Sequence, residues 1–405
     1  MIRAGLFLYD HLGGRKSLPS SFGVADLAAS KWGAGLKSTF HHGFVYSDAR
    51  VDDARLVVFN AISAREKGAD IRTHTKLTAA RRESGVWRIT LQDASGETQE
   101  VNARALVNAA GPWVKQVQDE VSAEPTLASV RHVKGSHIVV PRVHQEDHAY
   151  ILQNSDHRII FVIPYQGEFS LIGTTDITVE EFEHPEITGD EIAYLCGIAS
   201  AYLAKPITPA DVVWTYSGVR PLYDDGSADP AAVTRDYVLK LDHHDGAAPL
   251  LSIFGGKITT FRRLAEQALR ELAPFFPEMK GPWTRTEPLP GGDMVKSDLI
   301  AFERDLRARY ASVDPRLLGA LARRHGTRSS RILGSARTVA ELGPHFGAML
   351  FAAEIDYLIA QEWATSAEDI LWRRTKCGLH MSVSEREAVS QYLRERPGGV
   401  RVPAP

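Results

Sequence analysis

Along most of the chain the apolar positions fall into runs with a readable period. From Val51 onward, Ala54, Val57, Val58 and Ala61 recur at the spacing of one helix face. Asp52 and Asp53 occupy the first turn and Lys67-Gly68 supplies the stop, so an amphipathic helix is expected there. Short strands are expected at 70–74 and 85–91, with another beyond Ser95-Gly96. The run Ala105-Leu106-Val107-Asn108-Ala109-Ala110-Gly111 reads as a buried strand whose small-residue exit lets another group approach the backbone. Between about 130 and 176 the texture changes to consecutive strands at 136–140, 149–153, 158–164 and 168–173, which predicts an antiparallel sheet. A helix is expected at 190–203, with strands from Val212 and at 237–241.

A buried strand then meets a glycine pair at Leu250-Leu251-Ser252-Ile253-Phe254-Gly255-Gly256. It is followed by Phe261, Leu264, Ala265, Ala268, Leu269 and Leu272 on one helical face. After the Pro/Gly-rich stretch 282–292 the remainder reads as helices, with a disordered tail at 397–405. Residues 1–45 read as a short apolar helix and then a poorly periodic region. The pattern gives an α/β (mixed α+β) protein in three parts. They are residues 1–125, an antiparallel-sheet domain at 126–249, and a helical domain at 279–405, with the strand and helix of 250–278 between the last two.

The 405 residues suit two or three domains. A formal net charge of −3 gives no field that would draw nucleic acid. Cys196 and Cys377 form no CxxC, so neither a disulfide framework nor a thiolate metal site is expected. No apolar run approaches the ~18 residues of a membrane span.

Several residues carry candidate chemistry. Gly255 and Gly256 open a helix start where backbone N–H groups and Lys257 would suit an anion or a polar ring; the alternative is a tight turn with a solvated lysine. Arg220 and Arg235 suit a bidentate grip on phosphate, or surface ion pairs. His137, in an apolar strand, is a general base or a satisfied core histidine. Gly33-Ala34-Gly35-Leu36-Lys37-Ser38 lacks the third glycine of a dinucleotide fingerprint. His144 and His148 lie in a polar connection, and no metal is expected. Nine arginines between Arg304 and Arg337 read as a solvated helical face, or as a basic surface for lipid head groups.

Taken together, these segments resemble the FAD-dependent glycerol-3-phosphate dehydrogenases of aerobic bacterial respiration. The resemblance is carried by GLFLYDHLG (Gly5 to Gly13), YSDARVDDARLV (Tyr46 to Val57), VNAAGPWVK (Val107 to Lys115) and KGSHIVVPR (Lys134 to Arg142). It continues through IGTTD (Ile172 to Asp176), VVWTYSGVRPL (Val212 to Leu222), TRDY (Thr234 to Tyr237), FGGKITTFR (Phe254 to Arg262) and EWATSAEDILWRRTKCG (Glu362 to Gly378). It implies a Rossmann-like FAD domain made of residues 1–125 with 250–278 returning to it, and places Ala110, Gly111, Gly255, Gly256, Lys257 and Thr259 near the flavin. It further implies Arg220, Arg235 and Thr175 at the substrate, with Arg220, His137 and Lys257 as catalytic groups.

The implied reaction oxidises sn-glycerol 3-phosphate to dihydroxyacetone phosphate and passes electrons to quinone. The implied location is peripheral, on the cytoplasmic face of the membrane, and a homodimer is compatible with the resemblance. Oxygen as acceptor, in a glycerol-3-phosphate oxidase, is the alternative. Family members begin with a strand, glycine-rich turn and helix that seat the FAD pyrophosphate, a unit of about 30 residues absent from this sequence. The chain alone is therefore expected to be a weak flavin binder with little activity. A late gene start, a fragment and a truncated, non-catalytic relic all remain open as the reason.

Overall fold

The computed structural model describes residues 2–12, 18–121, 130–154, 156, 158–224, 236–244 and 246–396. The chain forms two compact units. One comprises Met1–Arg50, Asn108–Leu239 and Ser252–Lys257; the other comprises Val51–Val107, Lys240–Leu251 and Ile258–Pro405. These units cut across the three parts expected from the sequence.

The first unit is built on a six-stranded antiparallel sheet. Its longest strand, Val130–Pro141, pairs with Phe169–Gly173 on one side and Trp214–Tyr223 on the other. Ile177–Thr178 also pairs with this strand, and Ile159–Tyr165 and Tyr150–Gln153 extend the sheet beyond Phe169–Gly173. Alternation puts Ile138 and Val140 on the face covered by the helix Gly189–Tyr202, where they pack with Leu195, Cys196, Ile198 and Ala199. That helix begins in a capping box: Thr188 accepts the Glu191 amide, and the Glu191 carboxylate takes the Thr188 amide.

The helix Ile2–Leu12 lies where the apolar start predicts one. A two-stranded ribbon, Phe22–Val24 with Gly43–Val45, lies in the region that shows no period. The segment Gly33 to Ser38 opens no dinucleotide-binding helix. A side chain at Gly33 would overlap the Leu27 carbonyl, and one at Gly35 would come 2.9 Å from the Val143 carbonyl oxygen, so these glycines serve close packing.

The second unit joins a three-stranded antiparallel sheet (Lys76–Glu83, Val86–Gln92, Thr98–Ala103) to the helices that follow residue 260. The strand expected at 70–74 is not formed: His74 takes a left-handed φ of 51° and pairing begins at Lys76. The helix Asp53–Glu66 forms with Asp52 as its cap, yet its buried stripe is Arg55, Val58 and Ile62, while Val57 is 66% exposed. The stripe is turned because Arg55 pairs with Glu362, a tertiary partner that periodicity does not register. The helix Phe261–Leu272 likewise forms as expected but buries only Ala268 and Leu272.

The arginine-rich stretch makes no uniform basic face. Arg324 and Arg328 are drawn inward to Glu354 and Glu66, and Arg307 and Arg316 pair with Glu303 and Asp314. No helix among the described residues is long and apolar enough to cross a membrane.

Candidate active site

The site is built on the face of the six-stranded sheet opposite the helix Gly189–Tyr202. On that face His137 lies across the strand register from Tyr216 on one side and Gly173 on the other. Its ring stacks on Tyr216 with centroids 4.9 Å apart and planes at 10°. Gly173 makes this possible, because any side chain there would overlap the imidazole. His137 therefore has an observed reason to sit in an apolar strand: the ring lies on the sheet, half-buried.

Arg220 sits two register steps beyond Gly218, whose partner is Gly135. Its guanidinium lies across Gly135, where a Cβ would come within 2.5 Å of Nη2 and 2.7 Å of Thr174 Oγ1. Nη1 donates to the Asp176 carboxylate, and Nη2 donates to Thr174 Oγ1 at 3.3 Å. The side chain stays 34% exposed, so the fork is oriented by two fixed acceptors while an edge remains open. Arg220, His137, Thr174 and Asp176 thus share one corner of the sheet.

Two glycine turns approach the end of the Arg220 strand. The strand Leu106–Asn108 exits through Ala110 into the short turn Gly111–Trp113, which contacts the strand Trp214–Tyr223. Asn108 shapes this exit: its amide donates to the Val114 carbonyl at 2.7 Å, and its oxygen accepts the Ala110 N–H at 3.3 Å. The Pro112 carbonyl is 2.9 Å from His132 Nε2, and His132 is the register partner of Pro221.

The second turn follows Phe254. Gly255 and Gly256 have φ of 72° and 110°, conformations that other residues enter at a cost. A Cβ at Gly255 would lie 3.1 Å from the Asp236 carbonyl oxygen and 3.5 Å from that of Pro221. Val114 and Phe254 pack in one small core with Val130, Tyr223 and Val238, which ties both turns to the Arg220 strand. Lys257 follows on the exposed side; Thr259 lies in the next turn, Ile258–Thr260, also exposed.

Thr175 differs from its neighbours. It is 1% exposed, and its hydroxyl accepts the Ser136 N–H at 2.9 Å and donates to Glu191 at 2.8 Å. Its side chain is therefore committed within the protein, beside the two residues that hold Arg220. Arg235 lies outside the described residues. Sequence reasoning missed Thr174 and Asp176 as partners of Arg220, and Gly135 and Gly173 as the gaps that admit the two side chains. The signal available was their place inside the KGSH and IGTTD segments.

Among the described residues no group of three His, Cys, Asp or Glu is arranged for a metal. Cys196 and Cys377 are both buried and unbridged.

A family profile described as FAD dependent oxidoreductase matches residues 23–262, and one described as the C-terminal domain of alpha-glycerophosphate oxidase matches 282–395. The chain belongs to the FAD dependent oxidoreductases. A glycerol-3-phosphate dehydrogenase of Pseudomonas aeruginosa is 48% identical over the whole chain, which spans 78% of that protein. A D-erythritol 1-phosphate dehydrogenase of Brucella abortus is 46% identical over 97% of this chain and 78% of its own length. The solved structure of the glycerol-3-phosphate dehydrogenase from Bacillus halodurans complexed with FAD superposes with a TM-score of 0.74 at 26% identity, covering 89% of this chain and 72% of that one. Within its class, then, the chain is a member of the FAD-dependent glycerol-3-phosphate dehydrogenase family.

The two turns are chemically suited to the ring end of this cofactor. Among the described residues nothing but its chain neighbours lies within 4 Å of where a Cβ at Gly111 would stand, and Gly256 and Lys257 are exposed. Open backbone and a cation fit a flat heteroaromatic edge that gains negative charge on reduction.

Proposed function

We propose that the protein oxidises sn-glycerol 3-phosphate to dihydroxyacetone phosphate. One observation carries the reading: the open edge of the Arg220 guanidinium and the His137 imidazole share one sheet face, beside two glycine turns. Ala110, Gly111, Gly255, Gly256, Lys257 and Thr259 are the residues that would hold the flavin. When bound, FAD supplies the acceptor for the hydride leaving carbon 2.

The protein's own groups do the rest. Arg220 binds the anionic ester, or the oxygen that becomes the carbonyl, through donors already aimed by Asp176 and Thr174. Arg235, fifteen residues further along the sequence than Arg220, would supply a second cation. His137 takes the proton of the carbon-2 hydroxyl, and stacking on Tyr216 keeps its ring in place. Lys257 provides the fixed positive charge beside the turn. Quinone at the cytoplasmic membrane face is the acceptor we favour for the second half-reaction, with oxygen as the alternative that the family's oxidase relatives suggest.

The test is anaerobic titration of the FAD-loaded protein with sn-glycerol 3-phosphate and a four-carbon polyol phosphate. Bleaching of the flavin band by the three-carbon ester is the expected result, followed by reoxidation with a soluble quinone and little peroxide in air. A band untouched by either ester would overturn the proposal; fast peroxide formation would transfer it to the oxidase.

A further inference from the structure

Behind Arg220, on the reverse face of the same strands, lies a buried polar cluster that no part of the proposed chemistry uses. Strand alternation puts Lys134 and Ser136 on the side facing the helix Gly189–Tyr202, while Gly135 and His137 face the site. Glu191 is 4% exposed and Lys134 8%. Lys134 Nζ donates to Glu191 Oε2 at 2.8 Å and to the Glu186 carbonyl at 2.7 Å. Glu191 Oε1 accepts the hydroxyls of Ser136 and Thr175, each at 2.8 Å, and Ser136 Oγ lies 2.9 Å from Ser217 Oγ.

A buried carboxylate with a cation and two hydroxyls is costly to assemble and costly to break. Helix capping does not explain it, since the capping box needs only the Thr188–Glu191 exchange. Burial pushes the Glu191 carboxyl up, yet Lys134, the Thr188 amide and the Thr175 and Ser136 hydroxyls reverse this and hold it at about 2. The Glu191 carboxyl is thus ionised at neutral pH.

Its output is the segment Thr174–Asp176. Thr175 is pinned from beneath by Glu191 and the Ser136 amide, and the residues on either side of it are the acceptors that orient Arg220. We propose that Glu191 and Lys134, acting through Thr175, are positioning residues for the Arg220 guanidinium, and so set affinity for the phosphate ester. The inference rests on the functional reading above and extends it to residues that never touch the substrate.

Calorimetric titration of the FAD-loaded protein with sn-glycerol 3-phosphate, and separately with inorganic phosphate, tests it. Thr175→Val removes the hydroxyl link at nearly constant volume and is expected to weaken both ligands about tenfold, the scale of one buried hydrogen bond. Thr175→Ser, which keeps the link, is expected to restore binding to within about twofold, which a role limited to stability would not do. The charge-balanced pair Glu191→Gln with Lys134→Met should show the same loss, and it decides the matter if Thr175→Val fails to fold. Parent-like affinity in both Thr175→Val and the double variant, or in the double variant alone where Thr175→Val does not fold, would overturn the positioning role. A parent protein that binds neither ligand would overturn the phosphate-ester reading itself, and this inference with it.

Discussion

Arg55 and Glu362, 307 positions apart in the chain, meet as an ion pair with side chains only 7% and 0% exposed. Arg55 also donates to the Arg324 carbonyl at 3.1 Å, and His325 Nδ1 lies 3.5 Å from the same carboxylate. The pair joins the helix Asp53–Glu66 to the helices of the C-terminal region within the second unit.

Removing one member strands the other. Arg55→Met is expected to cost roughly 3–5 kcal/mol, measurable by urea unfolding, whereas Arg55→Met with Glu362→Leu should recover much of the loss. Burial pushes the Glu362 carboxyl up, but His325 and Arg55 more than reverse it and hold it at about 2. The ordinary value is 4.5, so its stabilisation is complete above that pH and is lost as the pH falls through about 2.

Arg220→Lys should fail nearly as badly as Arg220→Ala in binding sn-glycerol 3-phosphate. An ammonium cannot satisfy Asp176, Thr174 and a ligand with one planar fork. A loss of more than about tenfold in affinity is expected from either variant, on the scale of a charge-assisted hydrogen bond. A lysine variant with parent affinity would argue that only charge matters at this position.

Gly135→Ala tests the shelf under Arg220. The new methyl would stand 2.5 Å from Arg220 Nη2, the far end of a flexible side chain, and 2.7 Å from Thr174 Oγ1, so the guanidinium and its Thr174 acceptor must both shift. The expected outcome is weaker ester binding with a modestly lowered Tm. By contrast, Gly256→Ala forces φ of 110° on an alanine and should lower stability by about 1–2 kcal/mol.

His144 predicts acid sensitivity of a separate kind. It is 6% exposed, its ring lies 4.8 Å from that of His148, and neither of its nitrogens has a hydrogen-bond partner among the described residues. Burial, with smaller contributions from His148 and Arg142, pushes it down to about 4 from 6.5. The unfolded chain therefore takes up the proton first. Stability is full above pH 6.5 and declines as the pH falls toward 4, by roughly 3 kcal/mol at most. His144→Phe should flatten this decline in Tm; an identical slope would discount the group.

Much of the fold was legible in the pattern of residues. The strands at 136–140, 149–153, 158–164 and 168–173 were found because alternation is a local property, and the Gly-Gly turn because glycine pairs punctuate. The site was legible only in its protruding residues. That Asp176 meets Arg220 across 44 positions depends on strand register, and Glu191 reads locally as nothing more than the acid of a helix cap. The buried stripe of the helix Asp53–Glu66 was misjudged for the same reason: an arginine enters a core only when a distant carboxylate is waiting for it.

The Glu191 carboxylate closes the first turn of one helix and anchors the strand segment under the guanidinium, so the two cannot loosen independently. Amide protons at the start of that helix should exchange with solvent more slowly when an ester occupies the opposite side of the sheet. Isotope uptake at Glu191 and Ile192 would then serve as a remote gauge of occupancy, read from a surface the ligand never meets.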